Sequence, residues 1–197
     1  MRIGFSKGSI RFEKPLSDLD RFVYEFVDIL KSAGVRYVIV SGYVSIMFGR
    51  PRTTEDIDIL AERFDFGRFM TLLKKSRQSG FRIINPGSDK ELFYDYLAPG
   101  EAIRFCKQDV FPNVEIKFAK TSLHLESLKN AIDANGLRIS PIELQIAYKL
   151  KLGSRKDIED ADFLYELFKE KLDKEQLGKY CAALEVSGKA KKYLGLA

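Results

Sequence analysis

Cysteine is nearly absent from this chain. Of its 197 residues only Cys106 and Cys181 carry a thiol, far apart and in apolar settings. They form no ligand spacing and no redox pair, which speaks against a disulfide framework or a cysteine metal site and fits a reduced cytoplasm. Histidine is scarcer still, with His124 alone between Leu123 and Leu125. A single histidine in apolar company more often packs than catalyses, so it is assigned no role. Asn and Gln occur four times each beside 31% charged residues, a balance resembling thermophile usage. Long apolar runs are missing too. Arg2 and Lys7 lead into none, so neither a secretory leader nor a membrane span is expected. Repeats and low-complexity linkers are also lacking.

What is present is enough to build a core. Apolar residues make up 45% of the chain, and its length suits one compact domain or a core with a smaller appendage. The net charge of +5 and pI near 9.1 favour anionic partners such as nucleotides or RNA, although a merely soluble basic surface gives the same balance.

Along the chain, Ile3 to Phe12 reads as a short strand or arm. Ser17 reads as a helix N-cap with Asp20 at the third position, followed by an apolar stripe from Leu19 to Leu30 and a stop at Gly34. A β-branched run, Arg36 to Val40, predicts a buried strand broken by Ser41-Gly42. A short helix then closes near Gly49, and Asp56 to Leu60 alternates as a strand. A helix from Phe66 to Leu73 and a strand from Phe81 to Ile84 follow. Leu92 to Leu97 and Ala102 to Cys106 are expected to pair as strands, and Asn113 to Ala119 is a further strand. From Ser122 the pattern turns mostly helical. Ser140-Pro141-Ile142-Glu143 starts one helix, Ser154 caps another, and a last helix covers Glu175 to Leu184 before a basic tail. This predicts an α/β core over residues 1–120 and a helical region over 121–197 packed on it.

Chemistry concentrates at Asp56 and Asp58. Two apart on a strand, they leave the same face, while Ile57 and Ile59 point into the core. Paired carboxylates repel unless they share a cation, and magnesium, with its preference for hard oxygen ligands, is the natural one. The Ser41-Gly42 turn lets backbone N–H groups approach phosphate at the start of a helix. Arg52 and Thr54 offer a cation and a hydroxyl just before the carboxylates. A plain strand-to-helix turn and a solvated loop are the bland alternatives.

The segment Val40-Ser41-Gly42-Tyr43 to Gly49-Arg50-Pro51-Arg52-Thr53-Thr54-Glu55-Asp56-Ile57-Asp58 resembles the signature of the DNA polymerase β-like nucleotidyltransferases. Its Gly-x-x-Arg-x-Thr-x-Asp-Ile-Asp form especially resembles the AbiEii-type small nucleotidyltransferases. Ser41 departs from the usual Gly, and Tyr43 is bulkier than the usual residue. The resemblance runs from Val35 to about Phe168. It implies a mixed β-sheet flanked by helices, a nucleoside triphosphate substrate, and magnesium with manganese as a substitute. Acceptors in the resembling families include tRNA ends, antibiotics and protein hydroxyls, and an antitoxin-type protein partner belongs to the same implication.

A third carboxylate on a later strand is also implied. Glu115 is the candidate, where relatives more often have Asp. Its other reading is a surface ion pair with Lys117, and Asp109 is a poorer choice because it lies in a loop. The run Lys149, Lys151, Arg155, Lys156, Asp157 and Asp160 resembles a motif that follows the sheet in AbiEii-like proteins. Lys149 and Lys156 are thereby candidates for holding phosphates, against an ordinary helix start with intrahelical ion pairs. Tyr94 and Tyr96 read as packing residues. The expectation is transfer of a nucleoside monophosphate to a hydroxyl. The alternative is an inactive nucleotide- or RNA-binding module of the same fold.

Overall fold

The computed structural model describes residues 3–6 and 8–196, so Arg2 and Lys7 lie outside the described residues. Among these residues a nine-stranded mixed sheet carries the fold. It opens with the hairpin β1 (Ile3–Ser6) and β2 (Ser9–Phe12), which leads into helix α1 (Asp18–Ser32). The α1 start is a full capping box. Ser17 accepts from the Asp20 amide, and the Asp20 carboxylate accepts from the Ser17 amide. Burial alone would raise the Asp20 carboxyl, but donors from Ser17, Lys14 and Tyr43 outweigh it and hold the group below its ordinary range.

Next come β3 (Tyr37–Val40), the short helix α2 (Gly42–Met47), β4 (Asp56–Ala61), α3 (Phe66–Gln78) and β5 (Arg82–Ile83). The strand expected at Leu92 to Leu97 is instead a π-helical turn that continues from the three-residue α4 (Asp89–Glu91). Ser88 and Glu91 cap that turn reciprocally, and Leu92, Phe93 and Leu97 go inward together. That spacing suits one face of a helix, and the tyrosines between them mimic strand alternation. Strand β6 (Ile103–Cys106) therefore pairs with β5 and with β7 (Asn113–Phe118).

After α5 (Ser122–Lys129), the region expected to be mostly helical contributes two short strands, β8 (Ile132–Ala134) and β9 (Leu137–Ile139). They join at Asn135-Gly136, both at positive φ. The chain ends in α6 (Ile142–Leu152), α7 (Arg155–Phe168), α8 (Lys174–Ala183) and α9 (Ser187–Leu194), the last built from the expected basic tail. Pro141, not Ser140, is the α6 N-cap, because the Ser140 hydroxyl bonds to Ser127.

The strand order is β1-β2-β8-β9-β3-β4-β7-β6-β5. β4 lies antiparallel to β3 and parallel to β7 at the centre. Ile39, Ile57, Ile59, Val114 and Ile116 join the main core on one face of these strands. On the other face, Val38, Leu60, Ala119 and Leu128 form a small second cluster. That second face also bears Asp56, Asp58, Glu115 and Lys117, and it is only partly covered.

Candidate functional site

Strand register determines what meets at the site. Asp58 lies opposite Val40 on β3 and opposite Glu115 on β7, while Asp56 lies opposite Asn113. Glu115 is thus on the face of Asp58, one strand away. Val40 is the last residue of β3, so the turn at Ser41 begins beside Asp58. Ser41 and Asp58 line the same cavity, and the Ser41 side chain favours the ionised form of that carboxyl.

Ser41 itself is held at φ 66°, ψ −140°, close to a region nearly exclusive to glycine and costing about 1–3 kcal/mol. Its N–H donates to Gln145 Oε1 at 3.2 Å, and this contact from α6 helps hold the turn. At Gly42 the missing side chain makes room for Arg52. A Cβ there would stand 3.0–3.3 Å from the guanidinium.

The carboxylates are unevenly compensated. Burial pushes the Asp58 carboxyl above its ordinary value, the negative charges of Asp56 and Glu115 add to this, and Lys117 and Ser41 oppose it. Lys117 Nζ stands 3.9 Å from Asp58. Asp56 has no ion-pair partner among the described residues; Thr54 donates to its backbone carbonyl at 3.0 Å and, at 3.4 Å, to its carboxylate. Glu115 is paired with Arg104 across β6 and not with Lys117. Among the described residues no three His, Cys, Asp or Glu side chains converge as a ready-made metal cage.

The remaining candidates form a separate network. Lys149, only 2% exposed, binds Asp157 at 2.7 Å and Asp160 at 2.9 Å. Asp160, fully buried, also accepts from Arg50 and Arg52. Arg50 reaches Glu159 at 2.8 Å and the Lys156 carbonyl at 3.1 Å. The Lys149 ammonium and the Arg52 guanidinium are therefore engaged by carboxylates of α7, and the Lys156 side chain is exposed on that helix. Burial alone would raise Asp157, but Lys149 and Ser154 outweigh it and hold its carboxyl below the usual range. The network fastens the loop between α2 and β4 to the C-terminal helices.

Two cavities flank the carboxylate edge. One, of about 260 Å³, lies on the Asp58 side, with Lys117, His124, Gln145 and Tyr148 among its walls. The other, of about 280 Å³, lies on the Asp56 side with Glu115, Arg104, Asn113 and Phe111. Residue-by-residue reading missed Lys117 and Arg104 as site residues. Lys117 was legible, since it shares strand parity with Glu115; Arg104 needed the β6–β7 register. His124 also borders the first cavity. Its Nδ1 accepts from the Lys120 amide at 3.4 Å, and burial, with Lys117 and Lys120 nearby, keeps the ring below its ordinary pKa.

No family model and no curated protein matches the sequence. Solved structures do match in fold. The chain is 14% identical to ANT(2")-Ia in complex with adenylyl-2"-tobramycin, at a TM-score of 0.54 covering 86% of this chain and 98% of that one. The solution structure of the same antibiotic-resistance factor gives the same identity and TM-score over 89% and 95%. JHP933 from Helicobacter pylori is 16% identical at a TM-score of 0.53, covering 92% and 80%. The mixed α/β fold is thus shared with these proteins over most of their length. No helix among the described residues is long and apolar enough to cross a membrane.

Proposed function

We propose that the chain is a nucleotidyltransferase of the polymerase β-like type, using magnesium, or manganese in its place, to move a nucleoside monophosphate onto a hydroxyl. The observation that carries this reading is the edge itself. Asp56 and Asp58 leave one face of β4 at the Ser41-Gly42 turn, with Glu115 in register one strand away. The donor set fits magnesium, which is commonly bound by one or two carboxylates plus substrate phosphates and water. The raised Asp58 carboxyl is the mark of a group that an added cation would relieve.

Asp56 and Asp58 would hold the ion, which when bound neutralises charge on the triphosphate and the attacking oxygen. Lys117 offers a further positive charge beside Asp58, and the Ser41-Gly42 turn borders the phosphates. Lys149 and Arg52 act through position: they hold the phosphate-side loop in place, with Thr54 ordering Asp56. Glu115, paired with Arg104, would orient the acceptor hydroxyl and receive its proton. The acceptor oxygen bonds to the α-phosphorus, the bond to the bridging oxygen breaks, and pyrophosphate leaves. The acceptor is a hydroxyl of tRNA, protein or a small molecule, and an antitoxin-type protein is the partner that the resemblance implies. The adenylylated antibiotic in the ANT(2")-Ia structure supports transfer chemistry on this fold.

The engagement of Glu115 by Arg104 favours a second reading, a nucleotide-binding module without turnover. One experiment separates them: each radiolabelled nucleoside triphosphate is incubated with tRNA, protein, small polyols or the chain alone, with magnesium or manganese. Label transferred to any acceptor supports the enzyme. Tight magnesium-dependent binding without transfer across the panel supports the module.

A further inference from the structure

We propose that Gln145 is a positioning residue for the nucleotide: from helix α6 it holds Ser41 in a backbone conformation that serine does not keep unaided. The proposal rests on the transferase reading above and adds to it a residue that acts through the turn. Ser41 sits at φ 66° and ψ −140°, close to the region that glycine alone adopts freely. Such a residue persists only where its surroundings over-determine it. Gln145 supplies the constraint. Its side chain is 2% exposed, and its Oε1 accepts the Ser41 N–H at 3.2 Å. The amide orientation follows from chemistry, since a backbone N–H can meet only the oxygen end of the side chain.

The consequence reaches the phosphate side. The ψ angle of Ser41 sets the plane of the 41–42 peptide, and with it the direction of the Gly42 N–H. The Ser41 carbonyl, on the same peptide, accepts the Val44 N–H at 3.3 Å and so begins α2. A serine released to negative φ would rotate both groups out of place. The two residues that follow are held differently. Arg52 fills the space over Gly42 and is kept there by Asp160, which also binds Lys149, one turn along α6 from Gln145. Tyr43, 1% exposed, donates its hydroxyl to the buried Asp20 at 2.8 Å. Positions 42 and 43 are thus fixed by side-chain packing, whereas Ser41 is fixed through its backbone by Gln145.

Four full-length proteins test this: the parent, Gln145→Met, Ser41→Gly and the two changes together. Met matches Gln in length and lacks the acceptor oxygen, while glycine adopts the conformation at 41 without help. The α,β-methylene analogues of ATP, GTP, CTP and UTP are titrated calorimetrically with magnesium, and the analogue that the parent binds most tightly is carried through the set. Gln145→Met should weaken binding at least about tenfold when residue 41 is serine, and no more than about threefold when it is glycine. A residue that only packs would weaken binding by the same factor in both backgrounds. Equal factors therefore overturn the proposal, as does full affinity in Gln145→Met. If Gln145→Met does not fold, Gln145→Asn, which withdraws the acceptor by one carbon, takes its place with the same outcomes expected. A parent that binds none of the four analogues with magnesium overturns the reading on which the proposal rests. A parent that binds them, with equal factors in the two backgrounds, overturns this proposal alone.

Discussion

Two charged clusters lie side by side in this molecule and differ in how their charges are compensated. Around Asp160, the cations Arg50, Arg52 and Lys149 face Asp157, Asp160 and Glu159, and every cation has a carboxylate partner. Along β4 and β7, among the described residues, Asp56 lacks an ion-pair partner, Asp58 has one only at 3.9 Å, and Glu115 is paired with Arg104. Both clusters belong to the segment that resembles nucleotidyltransferases. A closed network gains nothing from a ligand and serves to hold elements together. Carboxylates left short of positive charge are suited to bind it. Charge balance, more than residue type, divides structural from functional charge here.

The largest expected effect breaks the open cluster. Asp58→Asn keeps shape and removes one metal-binding charge, so transfer should fall by at least about 10³-fold, on the order of 4 kcal/mol of lost electrostatic stabilisation. Single-turnover transfer alongside circular dichroism checks this; near-normal turnover in a folded variant would remove Asp58 from the site. Next comes the closed cluster. Asp160→Asn leaves Arg50, Arg52 and Lys149 with less negative charge in a buried place, and should cost about 3–5 kcal/mol in urea unfolding. Stability unchanged within 1 kcal/mol would show that the network is not what fastens α7 to the loop. Glu115→Gln is smaller. It should slow turnover about tenfold to a hundredfold with nucleotide affinity nearly unchanged, since Asp56 and Asp58 still hold the metal–nucleotide pair. A silent variant would make the Glu115–Arg104 pair an ordinary surface one, worth about 0–1 kcal/mol.

Much of this contrast was legible in the sequence. The β3-turn-α2-β4 unit and β7 follow from apolar runs and alternation, and strand parity alone put Asp56 with Asp58 and Glu115 with Lys117. The pairing of those charges was not legible. Arg50 meets Asp160 across 110 residues of chain, which no local period encodes. The three-residue strands β8 and β9 are too short for alternation to register, although Asn135-Gly136 between them is a hairpin signal. Leu92 to Leu97 misled for the opposite reason, because its alternating aromatics copy a strand pattern while buried Leu92, Phe93 and Leu97 follow a helical face.

The smallest effect sharpens the comparison most, because it reads the charge deficit at Asp58 through stability. The folded protein holds this carboxyl above its ordinary value of 3.8, first by burial and then by Asp56 and Glu115. Folding therefore disfavours the ionised form. Stability associated with the neutral form is fully present below the unfolded-state value and is lost as pH rises through the folded-state one. Asn at 58 never ionises and escapes that loss. The stability difference between Asp58→Asn and the parent should be near zero at about pH 3, grow across the window above 3.8, and level off by neutral pH. Lys117 already opposes that net upward shift, so the plateau includes the loss of its contact. Urea denaturation at about pH 3, 5 and 7 without added metal measures the curve, and each kcal/mol gained corresponds to about 2–4 °C in thermal midpoint for a chain of this size. A gain independent of pH would mean that packing, and not ionisation, sets the difference. A variant less stable than the parent at pH 7 would mean that Lys117 already compensates Asp58, and the open cluster would be no more open than the closed one.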